Sequence, residues 1–544
     1  MRITLRAEDN PTAVGLVVIP SIVYLVCFYL LTFPQLHQFS THYFTDEGDG
    51  LGNVWNLWWV NKAITELHQS PWHTTFLYYP YGTSLLPHTL NPFNGILAIP
   101  LMRFMTQVQA HNFIVVFAFV ASGVTAFFLA REFTKSTAAC LLGGFIFTFS
   151  EYHFAHAQGH LNLLSMEWIP LFLLCWYRLI TKPRVVTGVL SAGVLFVVLL
   201  CDYYYFLYCV IGGLLIFIWY WIRSRDRLFF LRSNYPRALG AFLLVTLITA
   251  GPLVFSLLML VVRDPPLGAH DPAEFSLDLL GLFIPGRHWR FSELTSFYWS
   301  GLNDPVEKSG YIGFAVLFLL VYVLLRRKHL HEAVGLWFLI LLVFALLALG
   351  PVIHIGGHEL SLTPYTVVVK LIPGMSLGGM PVRMVVMAIL AASVLAAIGF
   401  AELLRRKRSS VVIAILLAVL VFEYLPGPLP ARENPLPDFV KELKKLPDGA
   451  IYDARSSKFH ALYYQTVHQR PMAFGYISRP TTTVDAKSRE LRRVFEMGDY
   501  EKLYREYGFR YLILPARMNA TFGSPVYQDN DAQIYDLSNT RDRE

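Results

Sequence analysis

Three acidic residues stand close together between the first apolar run of the chain and a tryptophan-rich stretch. Asp46, Glu47 and Asp49 lie in FTDEGDGLGNVWNLWWV, residues 44–60. A carboxylate held at a lipid surface is partly desolvated, and its pKa can rise towards that of a useful general base. Because Asp-Gly is also a turn sequence, a solvated loop is the alternative. We predict a catalytic base in this segment, with Asp49 ahead of Asp46.

Three histidines follow the third apolar run. His153, His156 and His160 would share one face of a helix. Neutral imidazoles arranged in this way can bind a divalent metal such as Mg, Mn or Zn, or hydrogen-bond to a phosphate or a sugar. An interfacial helix with amphipathic side chains is the alternative. The pattern predicts a metal site on the three histidines, and a phosphate contact at His156 and His160.

Further polar residues stand at the ends of apolar runs, where ionisable groups are costly. Arg383 begins the tenth run, and its planar guanidinium suits a phosphate group, although a structural ion pair is the alternative. Glu167 is predicted one turn inside the fourth run. Asp202 stands beside three tyrosines and also fits an aromatic belt. The predicted substrate-binding residues are Glu167, Asn162, Asp202 and His88.

The composition indicates a membrane protein. Of the 544 residues, 55% are hydrophobic and 15% are charged, whereas soluble proteins carry about 25% charged residues. The net charge of +7 comes from Lys and Arg in short loops between apolar runs, so it does not indicate a nucleic-acid partner. None of the five cysteines forms a C-x-x-C pair, which argues against a disulfide framework or a thiolate metal site.

Basic residues cluster in every second connection between apolar runs, as the positive-inside rule requires. This pattern predicts about eleven transmembrane helices, with Arg2 and Arg6 in a cytoplasmic N-terminal segment and the C-terminus outside. The third run, near Thr137–Ser150, is short for a span. The first loop, residues 34–103, falls on the predicted outer face. Its WNLWWVNKAI stretch is expected to lie on the membrane surface as an interfacial helix.

The sequence changes character at PGPLP, residues 426–430, where a polar segment begins. An amphipathic stretch near Leu436–Leu446 and the strand-like RYLILP at 510–515 predict a small α/β domain. We therefore predict a membrane module over residues 1–425 and an extracytoplasmic domain over residues 426–544. The predicted fold class is an α-helical polytopic membrane protein with a small C-terminal extracytoplasmic α/β domain.

This layout resembles the GT-C superfamily of integral-membrane glycosyltransferases, which use lipid-phosphate-linked sugars. The resemblance places the first-loop acid of the family on Asp49 or Asp46. The second acidic position of the family, in a later outer loop, has no clear match in this chain, which has the three histidines in that loop instead. The stretches that carry the resemblance are TDEGDG, YYPYGTSLLPHTLNPFN (78–94), FSEYHFAHAQGHLN (149–162), SLDLLGLFIPGRH (276–288) and LIPGMSLGGMPVRM (371–384).

The resemblance implies an inverting transfer of a sugar from a polyprenyl-phosphate donor to a glycan, lipid or protein acceptor at the outer face of the plasma (inner) membrane. Asp49 or Asp46 would take the proton of the acceptor hydroxyl. Arg383, with the histidines or a divalent metal, would stabilise the departing phosphate.

Two other classes of function remain open. A lipid or glycan transporter would carry acids and broken helices at the membrane midplane, together with internal repeats, and the sequence has no repeat. A non-catalytic GT-C-like scaffold subunit of a membrane complex would keep the fold without the activity. The chain has no Walker A motif, which argues against a soluble nucleotide as the donor.

Overall fold

The structure is a computed structural model that describes residues 13–304, 306–363, 365–371, 379–406, 410–518 and 523–539. Arg2 and Arg6 lie outside the described residues, as do residues 372–378 of the LIPGMSLGGM stretch.

Helices dominate the chain as far as residue 423, because apolar runs satisfy their own backbone hydrogen bonds most simply as helices. The α-helices of this part are α1 (Ala13–Leu31), α2 (Asp49–Asn61), α3 (Pro92–Leu101), α4 (Gln107–Arg131), α5 (Thr137–Thr148), α6 (Glu151–His156), α7 (Leu161–Leu164), α8 (Trp168–Thr181), α9 (Val185–Cys201), α10 (Tyr203–Arg223), α11 (Tyr235–Thr249), α12 (Gly251–Arg263), α13 (Ser296–Trp299), α14 (Phe314–Arg326), α15 (Val334–Ala348), α16 (Tyr365–Leu371), α17 (Val385–Arg405) and α18 (Ser410–Glu423).

The chain is an integral membrane protein. Within the described ranges, four helices are long and apolar enough to cross a membrane: Val14–Leu31, Gln107–Arg131, Tyr203–Arg223 and Pro381–Arg405. A fifth span results if α11 and α12, which meet at an angle of 50°, are counted together. Six shorter apolar helices include α5, at the position of the predicted short third run. The predicted total of about eleven spans stays a prediction.

Helix α17 lies at the centre of the helical bundle. Every residue from Val385 to Phe400 is buried, as expected for a helix that is apolar on all sides. Small residues allow neighbouring helices to approach it closely. At Gly143 of α5, an added Cβ would lie 3.1 Å from Cβ of Ala397. Other helices therefore surround this helix, and Arg383 lies in the buried turn just before it.

Much of the WNLWWVNKAI stretch is buried inside the protein. Trp55 and Trp59 of α2 are fully buried, and Nε1 of Trp55 donates a hydrogen bond of 2.7 Å to Oε1 of Gln465. Later parts of the chain cover α2, which a local pattern does not reveal, and the position of this helix relative to a membrane surface stays a prediction.

The last part of the described chain contains a four-stranded sheet and four helices, which we call the C-terminal unit, residues 438–536. The strand order is β5-β6-β8-β7, with β5 and β6 parallel and the other pairs antiparallel. Two short antiparallel pairs, β1–β2 and β3–β4, lie earlier in the chain. The bounds are β1 (His73–Thr74), β2 (Thr83–Ser84), β3 (Val352–Ile355), β4 (His358–Leu362), α19 (Asp438–Lys445), β5 (Ala450–Asp453), α20 (Lys458–His468), α21 (Thr482–Glu496), α22 (Tyr500–Arg505), β6 (Phe509–Pro515), β7 (Tyr527–Gln528) and β8 (Ala532–Asp536).

Candidate active site

His160 lies at the centre of a cluster of ionisable side chains. Its Nε2 atom is 3.3 Å from Oδ2 of Asp49. Its Nδ1 atom is 3.1 Å from Nδ1 of His156 and 3.7 Å from Oε1 of Glu307. The start of α2, the turn after α6 and the long loop that follows α12 therefore converge here. The structure brings together the predicted base Asp49 and two of the three predicted histidines.

The acidic segment is docked on the histidine turn through its backbone. The backbone N–H of Asp46 donates to the carbonyl oxygen of Gln158 at 2.7 Å. Oδ1 of Asp46 accepts the N–H groups of Gly48 and Gly50, each at 3.0 Å. A Cβ at Gly159 would lie only 2.7 Å from Oδ2 of Asp46, so a glycine is needed for this close approach. Asp46 thus shapes the start of α2 and leaves Asp49 to face the cluster.

The two acids have opposite pKa shifts. Burial raises the pKa of Asp46 above its ordinary value. Burial would also raise the pKa of Asp49, but the hydrogen bond and charge of His160, with smaller effects of Tyr476 and His88, lower it. The prediction of a raised pKa therefore fits Asp46 and is wrong for Asp49, because its neighbours outweigh its desolvation. Asp49 is ionised at neutral pH, as a proton acceptor must be.

Arg383 forms a buried ion pair with Glu307. Its Nε atom donates to Oε2 at 3.0 Å and its Nη2 atom to Oε1 at 2.5 Å. The guanidinium carbon lies 5.1 Å from the ring centroid of Tyr204. Burial would raise the pKa of Glu307, but the charge of Arg383 and the two nearby histidines hold it below its ordinary value. This arrangement matches the ion-pair alternative and leaves Nη1 outside the pair.

Glu307 was missed by the sequence analysis. It lies in the polar stretch NDPVEKSG, about 150 residues beyond the histidines and 76 residues before Arg383. The stretch has no periodicity and no metal-ligand spacing that would single out one of its charged residues as a functional residue. The available signal was the missing second acid of the GT-C resemblance, which could have directed attention to acids in this later loop.

His153 is not part of this cluster. Its Nδ1 atom is 2.7 Å from the carbonyl oxygen of Thr148, and its Nε2 atom is 2.9 Å from that of Leu164. The imidazole is completely buried beside the ring of Phe119, at a centroid distance of 4.1 Å. Both ring nitrogens already face backbone groups, so we leave His153 out of the candidate metal ligands.

Replacing His153 with Ala is expected to reduce the free energy of unfolding by about 2–4 kcal/mol, because it opens a cavity and leaves buried carbonyls unpaired. Denaturant unfolding in detergent micelles measures this loss, and metal analysis of the folded fraction should be unchanged. Normal stability together with loss of bound metal would contradict the assigned structural role.

A different set of three residues fits a metal ion. His156, His160 and Glu307 each offer one ligand atom, and these atoms lie within 4.8 Å of one another. Nε2 of His156 is buried and has no hydrogen-bond partner within the described residues. Two imidazoles and a carboxylate form a donor set that suits Zn or Mn better than Mg.

The other predicted substrate-binding residues have separate environments. Asn162 donates from Nδ2 to Oδ2 of Asp202 at 2.7 Å. Oδ1 of Asp202 accepts the N–H groups of Tyr204 and Tyr205 and so caps α10. Glu167 precedes α8 instead of lying one turn inside it, because that helix begins at Trp168. The carboxylate oxygens of Glu167 are buried and have no hydrogen-bond partner in the part of the chain that the structure describes.

His88 lines the side of the site next to α2. Its Nε2 atom is 2.9 Å from Oδ1 of Asn56, and its Nδ1 atom is 3.1 Å from Oγ of Ser478. Burial lowers the pKa of His88 to about 4, so the imidazole is neutral. Ser478 belongs to the stretch that leads into α21, and nothing in the local sequence pattern indicated its place here.

Solved structures identify the class of fold. The arabinofuranosyltransferase AftD from Mycobacteria is similar over 97% of this chain, with a TM-score of 0.56 and 13% identity. The match spans 42% of that protein, so this chain covers less than half of its length. The Archaeoglobus fulgidus oligosaccharyltransferase has a TM-score of 0.46 and 12% identity, over 94% of this chain and 70% of that one. ArnT from Cupriavidus metallidurans has a TM-score of 0.42 and 12% identity, over 96% and 98%.

The chain shares its fold with AftD, and the predicted resemblance to GT-C proteins is confirmed at the level of the fold. The chain belongs to the family described as Domain of unknown function (DUF6311), whose model matches residues 22–424. No curated protein sequence matches the chain.

Proposed function

We propose that this chain is a membrane glycosyltransferase that moves a sugar from a polyprenyl-phosphate donor to an acceptor at the outer face of the plasma membrane. One observation carries the proposal: the partly exposed carboxylate of Asp49 lies next to His160, which in turn lies next to the buried pair of Glu307 and Arg383. A proton acceptor and a cation therefore occur in one site of a GT-C fold. AftD, one of the solved structures that share this fold, is an arabinofuranosyltransferase.

In the proposed reaction, the acceptor hydroxyl oxygen attacks the anomeric carbon of the donor. A bond forms between these two atoms, and the bond from the anomeric carbon to the phosphate oxygen breaks with inversion. Asp49 takes the proton of the acceptor hydroxyl. Its side chain is 38% exposed, so an acceptor can reach it. His160, 3.3 Å away, holds the carboxylate in place.

The departing polyprenyl phosphate needs positive charge as the bond breaks. Arg383 supplies a permanent positive charge in the cluster, and Glu307 fixes the plane of its guanidinium group through two hydrogen bonds. The pair leaves Nη1 to donate to a phosphate oxygen. A fixed guanidinium loses little side-chain entropy when it binds an oxyanion.

A divalent metal on His156, His160 and Glu307 is a further part of the proposal. When bound, such an ion would supply Lewis-acid charge beside the departing phosphate. Imidazole ligands must be neutral, so a bound ion would displace the proton that the hydrogen bond to Asp49 favours on His160. Burial already lowers the pKa of His156 well below its ordinary value, which keeps this imidazole neutral.

Replacing His156 with Ala is expected to remove the bound metal and to reduce transfer, because loss of one ligand in three weakens the site strongly. Metal content is measured by inductively coupled plasma mass spectrometry on protein that is purified without a chelator. His460→Ala is the matched control, since its Nδ1 atom pairs with the hydroxyl of Ser457 in the C-terminal unit and it is not one of the three candidate ligands. An unchanged metal content in His156→Ala would contradict the assignment.

The proposed function is tested with the purified full-length chain in lipid nanodiscs. Undecaprenyl-phosphate-linked pentoses and hexoses are supplied with cell-envelope acceptors, and the release of undecaprenyl phosphate is followed by mass spectrometry. Comparison of envelope glycans from wild-type and deletion strains identifies the sugar and the acceptor. If no donor is consumed and no glycan changes, the proposal is wrong and the scaffold alternative is favoured.

A further inference from the structure

A segment of the C-terminal unit crosses the candidate active site. We call residues 475–483 the strap. At one end, the hydroxyl of Tyr78 in the first loop donates to the carbonyl oxygen of Gly475 at 3.1 Å. At the other end, Oδ1 of Asp264 accepts the hydroxyl of Thr482 at 2.7 Å and the N–H of Thr483 at 2.9 Å. The strap is therefore anchored at both of its ends.

The middle of the strap is joined to α2 through His88. The backbone N–H of Ser478 donates to Nδ1 of His88 at 3.1 Å, so the proton of this neutral imidazole lies on Nε2. That atom donates to Oδ1 of Asn56 at 2.9 Å. One turn earlier, Nδ2 of Asn53 donates to the carbonyl oxygen of Asp49 at 3.1 Å. The strap thus packs against the same face of α2 that begins with Asp49.

Tyr476 of the strap points towards that first turn. Its ring packs against Phe459 at a centroid distance of 4.6 Å, and the ammonium group of Lys458 lies 4.6 Å above it. A Cβ at Gly52, three residues after Asp49, would lie 3.8 Å from Cδ1 of Tyr476. The ring also lies 6.2 Å, between centroids, from the imidazole of His88, and hydrogen bonding from Tyr476 is one of the causes that lower the pKa of Asp49.

Asp49 is therefore approached from two sides by different parts of the chain. His160 approaches from the helical bundle and Tyr476 from the C-terminal unit. A carboxylate has two oxygen atoms, and one of them must be directed at the acceptor hydroxyl. Two donors restrict the rotation of the carboxyl group more than a single donor does.

We propose that Tyr476 is a positioning residue that holds the Asp49 carboxylate towards the acceptor, so that the strap makes the C-terminal unit part of the active site. This inference rests on the proposed function. Hydrogen bonds of a free enzyme are often long and tighten in the substrate complex, and the anchored strap keeps Tyr476 ready for this contact.

The test compares Tyr476→Phe with wild type in the full-length chain. The variant keeps the ring contacts and loses only the hydroxyl. We expect kcat to fall roughly 10-fold to 100-fold, as for loss of one hydrogen bond to a charged group, while KM for the polyprenyl-phosphate donor is unchanged. Tyr511→Phe is the matched control, because its hydroxyl donates to Pro447 elsewhere in the C-terminal unit.

A kcat for Tyr476→Phe equal to that of wild type, or an equal fall in Tyr511→Phe, would overturn the inference. Ser478 gives an independent measurement: Ser478→Thr should retain transfer because it keeps the hydroxyl that contacts His88, whereas Ser478→Ala should lower kcat. Equal rates for the two Ser478 variants would count against a role of the strap in transfer. If wild type consumes no donor, the proposed function fails and the inference fails with it. If wild type transfers sugar and Tyr476→Phe transfers at the same rate, only the inference fails.

Discussion

Replacing Asp49 with Asn is expected to slow sugar transfer about 100-fold to 10,000-fold, the range that a general base contributes. Asn has nearly the same shape, but it cannot take the proton of the acceptor hydroxyl. The contacts of Asp49 with His160, Tyr476 and His88 favour its ionised form, so the wild-type group is ready to accept a proton at neutral pH. The initial rate of undecaprenyl phosphate release measures the effect.

Two neighbouring acids provide controls for Asp49→Asn. Glu47 is exposed in the same segment, and Glu47→Gln should transfer at the wild-type rate. Asp46→Asn keeps Oδ1 as an acceptor for Gly48 and Gly50, and we expect a smaller loss than for Asp49→Asn. A severe loss confined to Asp46→Asn would move the role of base to Asp46. Normal transfer in both Asp variants would refute the mechanism.

Removing one partner of the Arg383–Glu307 pair is expected to lower the free energy of unfolding by about 3–5 kcal/mol, because an uncompensated charge stays buried. The Arg383 side chain is 10% exposed and that of Glu307 is 5% exposed. Arg383→Met should therefore both destabilise the protein and abolish transfer. Denaturant unfolding in micelles and the donor-release assay measure the two effects separately.

The double variant Arg383→Met/Glu307→Leu separates stability from chemistry. Apolar side chains of similar volume often replace a buried pair at little cost, so stability should recover while transfer stays absent. The exposed pair of Arg178 and Glu132, 2.7 Å apart, is the control, since Arg178→Gln should cost only about 0–1 kcal/mol. Transfer restored in the double variant would show that Arg383 acts only as a structural cation.

Local patterns predicted several elements well. The run near Thr137–Ser150 forms the short helix Thr137–Thr148, and RYLILP forms most of strand Phe509–Pro515. These elements are specified by neighbouring residues, through hydrophobic runs that favour helix in a membrane and strand in a small sheet. The histidine spacing also worked in part, because His156 and His160 meet across one turn.

The burial of α2 and the role of His153 could not be predicted in the same way. A tryptophan-rich helix suits a membrane surface and a buried interface equally well, and the choice depends on what covers it. Here Gln465, about 400 residues later, pairs with Trp55. His153 has the right spacing for a metal ligand, but the carbonyls of Thr148 and Leu164 occupy its ring nitrogens.

By itself, the amino-acid sequence determined that this is a helical membrane protein, that Asp49 and Asp46 are the candidate bases, and that the layout resembles the GT-C superfamily. Composition, periodicity and the order of motifs along the chain can be read without knowing which distant residues are in contact. Only the tertiary structure decided that Glu307 pairs with Arg383 and that Tyr476 faces Asp49. Those contacts join residues far apart in the chain. They form because close packing within the helical bundle and the C-terminal unit leaves these side chains no other arrangement.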